Sequence, residues 1–457
     1  MNSLLLKSEI RLVNALNSRK LRFGVQGSKI TVLKDPSEFF HALKTRSETA
    51  KSRIVLSALY LGTGGKEREL LGSFLNNPFK PRTRILLDFF RGTRLNSDNV
   101  SSCSFLSPLL EYSSKTRVSL YQTPLLRGFL KQLSPQRYNE TIGLQHIKVY
   151  VFDNSVIISG ANLSDDYFTN RQDRYIIIDD CEELADFFEE LIDIIADFSY
   201  EMKSNNRLEW SGRTTNIEDN RDLYMSEFKE RMNDFLSVKR ICNEEFDTYI
   251  YPSIQLGNIG IFDDSNFTSD ILMSGSDAGC MNFGTGYFNL TEAYMNIILN
   301  HSGKTTFDIL MAHPKANGFY NAKGPAGGIP SAYTLIAAQF HDRIISNGDI
   351  NRIKIFEYQR SNWTFHGKGL WYSTSKNMDP IFTLIGSPNF GYRSVHRDIE
   401  AQLAILTTHS KLRKDLQEEM ENIFSSSNLV TKSTFQLPDR IVPLWVKGVV
   451  RLARNFF

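Results

Sequence analysis

Cysteine is scarce in this sequence, long apolar runs are missing, and neither sign of charge dominates. Four cysteines are spread over 457 residues without a C-x-x-C pair, which argues against a zinc site or a disulfide framework and favours a reducing compartment. No apolar run reaches the roughly 18 residues that a membrane-spanning helix needs. The formal net charge of +2 gives no global basic field, so the composition does not indicate a nucleic-acid partner.

Apolar residues, in contrast, are plentiful. Hydrophobic residues make up 41% of the chain, with 32 phenylalanines and 18 tyrosines, which is enough for a sizeable core. Apolar runs typical of buried strands alternate with helical stretches, such as the amphipathic segment after Cys181. This alternation predicts an α/β fold with covered sheets. The length allows two or three domains, or one large pseudo-symmetric unit.

A histidine followed two residues later by a lysine occurs twice, each time ahead of a strand–turn segment with an asparagine. The first copy consists of His146, Lys148 and Asn162, and the second of His366, Lys368 and Asn389. The histidines lie 220 residues apart and the asparagines 227, so the second copy carries one insertion, at residues 373–380. This long-period duplication predicts one composite active site built from two half-sites.

An acidic residue follows each asparagine at the same distance. Asp173 lies eleven residues after Asn162, and Glu400 lies eleven residues after Asn389. We expect each acid to accept a hydrogen bond from the histidine of its own copy and so to fix the tautomer of that ring. Because residues i and i+2 of a strand share a face, each histidine should point the same way as its lysine.

These residue types suit chemistry at a phosphodiester. One neutral histidine can attack phosphorus, and a second histidine can serve the leaving or entering oxygen as an acid or base. The lysines and asparagines can hold the charged oxygens through the transition state. The set requires neither a metal nor another cofactor.

The repeated motifs resemble the signature of the phospholipase D superfamily, H-x-K-x(4)-D followed by a G-S-x-N segment. His146, Lys148 and Asp153 match the first motif, whereas the second copy has Ser373 in place of the aspartate. The resemblance implies that Asp153 is a structural support. Gly386, Ser387 and Asn389 match the companion segment, and since the first copy reads Ser159-Gly160, only Ser387 offers that hydroxyl.

Longer stretches are similar to the eukaryotic phosphatidylglycerophosphate synthases, including residues 140–148, 159–175, 60–64 and 285–291. This resemblance implies two α/β/α halves with the active site between them. It implies transfer of a phosphatidyl group from CDP-diacylglycerol to sn-glycerol 3-phosphate, with release of CMP, in the pathway to cardiolipin. It further implies a peripheral enzyme on the matrix side of the mitochondrial inner membrane, and it makes His146 the nucleophile and His366 the acid/base.

A phosphomonoester acceptor and a pyrophosphate donor need more cations than two lysines. The candidates are Arg91, Arg94, Arg127, Arg171, Arg174, Arg393 and Lys323. Arg91 and Arg171 are the strongest, because both follow predicted strands at the catalytic edge; a surface salt bridge is the alternative for each cation. Tyr60 and Tyr287 occupy equivalent places in the two halves, where they either line the pocket or pack in the core.

The predicted organisation has five parts. These are a basic segment at 1–22, resembling the tail of a transit peptide or an ordinary first helix; a first half at 23–202; a connector at 203–240; a second half at 241–437; and a basic segment at 438–457. In the last part, Lys447, Arg451 and Arg454 share one helical face. It is predicted either to anchor the protein to anionic lipid or to pack on the protein's own surface.

Three rival functions use the same residues. A phospholipase D-type relative can take water or serine as acceptor, although the surplus of arginines favours an anionic one. A nuclease would need a basic groove with stacking aromatics, which the net charge does not support. A catalytically silent lipid-binding scaffold is supported by Ser373 alone.

Overall fold

A computed structural model describes residues 10–126, 142–242, 244–276 and 278–453. Strands form two large sheets. The first contains β2 (Ile30–Leu33), β3 (Arg53–Ser57), β4 (Arg82–Asp88), β5 (Thr116–Tyr121), β6 (Val149–Phe152), β7 (Ser155–Ser159), β9 (Tyr175–Ile178), β10 (Tyr200–Met202) and β11 (Leu208–Trp210). The second contains β1 (Leu21–Val25), β12 (Arg240–Ile241), β13 (Thr248–Leu256), β14 (Ile261–Phe262), β15 (Cys280–Thr285), β16 (Thr306–Ala312), β17 (Ile353–Tyr358), β19 (Lys368–Ser373), β20 (Phe382–Gly386), β21 (Ile399–Thr407) and β22 (Ser427–Leu429).

The two sheets repeat one topology. The central order β5-β4-β3-β6-β7-β9-β2 in the first sheet matches β17-β16-β15-β19-β20-β21-β13 in the second. In each sheet the first three of these strands are parallel, and the remaining pairs are antiparallel. A small parallel sheet, β8 (Arg171–Gln172) with β18 (Thr364–Phe365), joins the halves. The prediction of a duplicated α/β fold with two pseudo-symmetric halves is confirmed.

Helices cover both sheets. They span Ile10–Asn17, Pro36–Thr49, Gly65–Leu75, Phe89–Thr93, Ser102–Tyr112, Asp165–Thr169, Glu182–Asp197, Arg221–Ser237, Asp263–Met273, Glu292–Leu299, Ile329–Ser346, Tyr392–His396, Ser410–Ser425 and Leu444–Ala453. Their starts follow local rules: Asp35, for example, caps Pro36–Thr49 by accepting from the amides of Ser37 and Glu38. None of these helices is both long enough and apolar enough to cross a bilayer.

The hydrophobic core has three layers. Helices Pro36–Thr49, Gly65–Leu75 and Ser102–Tyr112 cover the outer face of the first sheet. The second sheet has its own outer layer, to which Ile329–Ser346 and Leu444–Ala453 belong. Between the sheets, apolar side chains of both halves merge into one continuous cluster. The halves are therefore held together by a shared core, which fixes the geometry of any site between them.

Two segments depart from the simple division into halves. Strand β1 precedes the first sheet in sequence but pairs with β13 of the second sheet, so the predicted boundary at residue 23 falls inside a strand of the other half. The predicted connector at 203–240 contains the helix Arg221–Ser237, whose Tyr224, Phe228, Met232 and Phe235 are buried in the shared core. These four residues form an apolar stripe at helical spacing within an otherwise polar sequence.

Candidate active site

The two histidines lie at the junction of the halves, and the backbone of each is tied to the opposite half. The amide of His146, just ahead of β6, donates to Ile399 O at 2.9 Å. The amide of His366, between β18 and β19, donates to Gln172 O at 2.8 Å. These contacts place each histidine beside the acid of the other motif copy.

The histidine–acid pairs are consequently crossed, which corrects the expectation of pairing within each copy. His146 Nδ1 lies 2.9 Å from Glu400 Oε2, and His366 Nδ1 lies 2.6 Å from Asp173 Oδ2. All four side chains are buried. Because an ionised carboxylate only accepts, Glu400 favours a proton on Nδ1 of His146, which leaves Nε2 free. Nδ1 of His366 faces both an acceptor, Asp173, and a donor, Lys368 Nζ, so both contacts act on its tautomer.

The two lysines make different contacts. Lys148 Nζ donates to His146 O at 2.8 Å. Lys368 Nζ lies 2.7 Å from His366 Nδ1, 3.4 Å from Gly160 O and 3.6 Å from Asp173 Oδ2. A Cβ on Gly160 would lie 2.6 Å from this Nζ, so a side chain there would displace the lysine. This close approach explains why the first copy has glycine where the second has Ser387.

Burial dominates the protonation of the site. It lowers the pKa of His146 well below the ordinary value, and the charge of Lys148 acts in the same direction. Burial and then Lys368 likewise lower the pKa of His366 well below the ordinary value. Both imidazoles are therefore neutral near pH 7, as a nucleophile and a general base require. Burial also lowers the pKa of both lysines and raises the pKa of Asp173 and of Glu400.

The asparagines are buried beside hydroxyl groups that the sequence did not reveal. Asn162 Nδ2 lies 3.1 Å from the Tyr167 hydroxyl, and the backbone N–H of Asn389 donates to Ser394 Oγ at 3.1 Å. Among the described residues, Oδ1 of each asparagine is buried without a hydrogen-bond partner. Tyr167 and Ser394 both lie five residues after an asparagine, and that spacing is the signal that could have identified them. Ser394 Oγ also donates to Glu400 Oε1.

Asp153, predicted as a structural support, and Ser387, predicted as a catalytic residue, both form hydrogen bonds with the backbone. Asp153 accepts from the amides of Lys51, Ser52 and Arg53 and so ties the β6–β7 turn to the start of β3. Ser387 Oγ accepts from the Ala401 amide at 3.1 Å, which ties β20 to β21 next to Glu400. Asp153 is thus structural, whereas a hydrogen bond from Ser387 also opposes the rise in the pKa of Glu400 that burial causes, and the catalytic role of Ser387 stays a prediction.

An ion pair with reversed charge flanks each half-site. In the first copy, Asp166 and Arg171 lie four and nine residues after Asn162. In the second copy, Arg393 and Asp398 lie four and nine residues after Asn389. Arg171 pairs with Asp166 at 3.1 Å, and Arg393 pairs with Asp398 at 2.9 Å. The inner member is therefore a cation near His366 and an anion near His146. Arg171 adds to the lowering of the His366 pKa by burial and Lys368. At His146, Asp398 opposes the lowering of the pKa by burial and Lys148, whereas its partner Arg393 adds to that lowering.

The remaining predicted cations differ in their contacts and in their exposure to solvent. Arg91 lies over the Tyr60 ring at 4.4 Å, the Tyr60 hydroxyl lies 3.2 Å from Ser164 Oγ, and Arg94 is partly buried nearby in sequence. Lys323 is exposed, and Arg127 falls outside the described residues.

Arg174 does not reach the site, which corrects its prediction as a substrate-binding residue. Its side chain is fully buried against Trp371 and pairs with Glu419 at 2.9 Å. Nη1 donates to Leu384 O, and Nη2, which also pairs with Glu419, donates to Thr383 Oγ1. Asp173 and Arg174 lie in the two-residue link between β8 and β9; Asp173 contacts His366, whereas the side chain of Arg174 is buried in the interior.

Aromatic rings line the His366 side of the site. The rings of Tyr167 and Tyr287 meet His366 edge-on, at 5.1 and 5.5 Å between centroids. Tyr287 in turn stacks on Tyr333 at 5.4 Å, and Arg171 lies over Tyr167 at 4.6 Å. Tyr287 thus lies beside His366 rather than in the core of the sheet, and its role in lining a substrate pocket stays a prediction.

One buried group has the composition of a metal site. Ligand atoms of His146, Asp398 and Glu400 lie within 4.8 Å of one another. Glu400 already accepts from His146 and Ser394, and Asp398 already accepts from Arg393 and the Leu144 amide. A metal ion would have to displace these donors, so the group fits a hydrogen-bonded acid cluster better than a metal centre.

Known proteins are similar to this chain in sequence and in fold. No family model matches the chain. The mouse protein named mitochondrial CDP-diacylglycerol–glycerol-3-phosphate 3-phosphatidyltransferase is 43% identical over 95% of this chain and 84% of its own length. The Saccharomyces cerevisiae protein of the same activity name is 32% identical over 93% of this chain and 87% of its own length.

Among solved structures, phosphatidylserine synthase from Haemophilus influenzae superposes with a TM-score of 0.75. It is 19% identical and covers 99% of this chain and 98% of its own. At that identity the match concerns the fold, and it supports the phospholipase D-like architecture. The level and extent of identity to the curated relatives show that the chain belongs to the family of CDP-diacylglycerol–glycerol-3-phosphate 3-phosphatidyltransferases.

Proposed function

We propose that this protein transfers the phosphatidyl group of CDP-diacylglycerol to sn-glycerol 3-phosphate, giving phosphatidylglycerophosphate and CMP. The observation that carries the proposal is the pair of buried histidines, each held by a carboxylate of the opposite half. Family membership supplies the two substrates, since the relatives are named for them. We propose no metal or other cofactor.

In the first step, His146 Nε2 attacks the phosphorus that bears the diacylglycerol group, and the bond to the CMP oxygen breaks. The product is a phosphatidyl-histidine, which is cationic while Nδ1 keeps its proton. Glu400 holds that proton, and the nearby Asp398 adds a second negative charge that favours the cationic ring. CMP leaves with little need for protonation, because its phosphate has a second pKa of about 6.

In the second step, His366 Nε2 removes the proton of an acceptor hydroxyl, whose oxygen attacks phosphorus and breaks the P–N bond. Two in-line displacements predict retention of configuration at phosphorus. Arg171 is well placed for the acceptor phosphate, because it is the cation beside His366 and its side chain is 15% exposed. Lys148, Lys368, Asn162 and Asn389 hold the remaining phosphoryl oxygens in this proposal.

The donor pyrophosphate needs cations on the other side of the reacting phosphorus. Arg393 is close enough to His146 to add to the lowering of its pKa by burial and Lys148, and its side chain is partly exposed. We therefore assign Arg393 to the donor pyrophosphate. Arg91, stacked on Tyr60, is the further candidate for the nucleotide or lipid phosphate. Arg94 and Lys323 remain candidates for more distant contacts.

We further propose that the protein works on the matrix side of the mitochondrial inner membrane as a peripheral protein. The curated relatives in animals are named mitochondrial. A donor that is itself a bilayer lipid supports a position at the membrane surface, where the headgroup can enter the site while the acyl chains stay in the bilayer.

The test is CMP release from CDP-diacylglycerol in detergent, with and without glycerol 3-phosphate, together with identification of the lipid product. Release that depends on glycerol 3-phosphate and yields phosphatidylglycerophosphate is the expected result. Phosphatidic acid formed regardless of acceptor would instead identify a hydrolase. Absence of turnover by a folded protein that still binds the lipid would identify a silent scaffold.

A further inference from the structure

The helix Leu444–Ala453 packs on the second half with only one of its faces. Val446 and Val450 are buried in the outer core of the second sheet. Leu444 is 84% exposed, and Ile441, just before the helix, is 75% exposed. These are the two most exposed large apolar side chains among the described residues, and exposed apolar clusters of this kind mark interaction surfaces.

The exposed side of this helix also carries positive charge. Lys447 and Arg451 are both exposed and stand one turn apart, and Trp445 and Val449 flank the apolar residues. From residue 441 to residue 453 the sequence contains no acidic residue. Exposed apolar side chains bordered by cations suit the headgroup region of an anionic bilayer, whereas a protein groove would leave the two cations without acidic partners.

The segment is fixed to the protein just before the helix begins. Arg440 is buried and pairs with Glu357 of β17 at 2.6 Å. Because both partners are almost fully buried, this ion pair holds the start of the segment in one place. The exposed apolar face is therefore presented in a defined direction.

A chain of packed side chains links this helix to the catalytic pocket. The Trp445 ring covers Gly328, where a Cβ would lie 2.2 Å from the ring. Gly328 immediately precedes the helix Ile329–Ser346, and Tyr333 of that helix stacks on Tyr287. Tyr287 meets His366 edge-on. The exposed face and one wall of the pocket thus belong to one packed unit.

We infer that Ile441, Leu444, Trp445, Lys447, Val449 and Arg451 form a docking face for an anionic lipid bilayer. This inference rests on the proposed function, and it specifies which surface meets the membrane that supplies the lipid donor. Docking through this face would position the pocket wall at Tyr287 relative to the bilayer, so that a donor headgroup can reach the histidines without the whole lipid leaving the membrane.

The test is co-sedimentation of the full chain with vesicles of phosphatidylcholine alone, or of equal parts phosphatidylcholine and phosphatidylglycerol. The wild-type chain should bind the anionic vesicles. Ile441→Ser with Leu444→Ser should reduce binding at least tenfold, since about a tenfold change corresponds to burying one such side chain. Lys447→Gln with Arg451→Gln should reduce binding to anionic vesicles by about 30-fold and leave binding to neutral vesicles unchanged.

The matched control is Leu223→Ser, which removes an apolar side chain of 46% exposure on the helix Arg221–Ser237 and should leave binding unchanged. Both docking-face variants should keep the CMP release of the wild-type chain in detergent. Absence of CMP release from the wild-type chain would count against the proposed function rather than the docking face. Undiminished vesicle binding by both variants, or an equal loss in the control, would overturn the inference.

Discussion

Arg171 and Asp398 occupy the same position in the two halves, nine residues after the asparagine, and carry opposite charges. Each is the less exposed member of its ion pair: the side chain of Arg171 is 15% exposed and that of Asp398 is 1% exposed. The duplication therefore produced two similar half-sites with different electrostatics. The His366 side suits an anionic acceptor, and the His146 side suits a ring that becomes cationic.

Replacing an acid should reproduce the loss of the histidine in the opposite motif copy. We expect Asp173→Asn to behave like His366→Asn, and Glu400→Gln like His146→Asn, because each acid holds the tautomer of that ring. Overall turnover should fall by about 10⁴-fold in the acid variants. Rapid-quench measurement of CMP separates the two classes.

The His366 class should keep an initial burst of CMP, because the first step does not need that base. The His146 class should show none. A burst in Glu400→Gln and none in Asp173→Asn would mean that the acids act within their own copies, contrary to the crossed geometry.

Arg171→Gln should weaken use of the acceptor and spare the donor. A charge-assisted hydrogen bond to phosphate corresponds to about a 10- to 100-fold rise in the KM for glycerol 3-phosphate. The same variant should lose most of its preference for glycerol 3-phosphate over glycerol, and its CMP burst should remain. Lys239→Gln, at an exposed cation outside the site, is the control, and an equal rise in KM there would contradict a specific role for Arg171.

Asp398→Asn should move the acidic limb of the CMP burst to lower pH. Burial already lowers the pKa of His146 below 6.5, and Asp398 partly opposes that shift. Removing this negative charge lowers the pKa further, so the ring stays neutral and nucleophilic in more acidic solution. The burst rate measured across the acidic range checks the direction. A limb displaced to higher pH would show that Asp398 does not act on His146 through its charge.

Arg174→Met should destabilise the protein without changing substrate binding. Removing one member of a buried ion pair leaves Glu419 uncompensated, which costs about 3–5 kcal/mol. Thermal unfolding followed by circular dichroism should show the loss as a lower midpoint, with KM values unchanged at a temperature where the variant is folded.

The double variant Arg174→Met with Glu419→Gln should recover most of that stability. It removes the unpaired charge and keeps an acceptor for Trp371 Nε1, which donates to Glu419 at 2.8 Å. A selective rise in KM for either substrate would instead return Arg174 to the binding site.

The sequence predicted the duplicated α/β fold and the histidine, lysine and asparagine set, because strand periodicity and repeated spacing are local signals. It did not predict the crossed pairs: the common spacing identifies Asp173 and Glu400 as equivalent, but the packing of the two halves decides which ring each acid meets. Arg174 was misassigned for a similar reason. It lies three residues after Arg171, yet its side chain is buried in the interior against Trp371 and Glu419.

The sequence also contains signals for two other features, but these signals lie outside the motifs of a single copy. The stripe of Tyr224, Phe228, Met232 and Phe235 has helical spacing, but the surrounding polar residues made 203–240 resemble a connector. Tyr167 and Ser394 emerge only when the two copies are aligned and the position five residues after the asparagine is compared. Because one residue is a tyrosine and the other a serine, their identities alone do not suggest that they occupy equivalent positions beside the site.

Because the histidine–acid pairs are crossed, the active site is complete only when both halves are folded and packed together. A chain in which one half has folded and the other has not holds a histidine without its orienting acid, however well that half is packed. Both rings therefore have their orienting acids only where the two halves are packed against each other, and an isolated half would lack the paired arrangement on which the proposed chemistry depends.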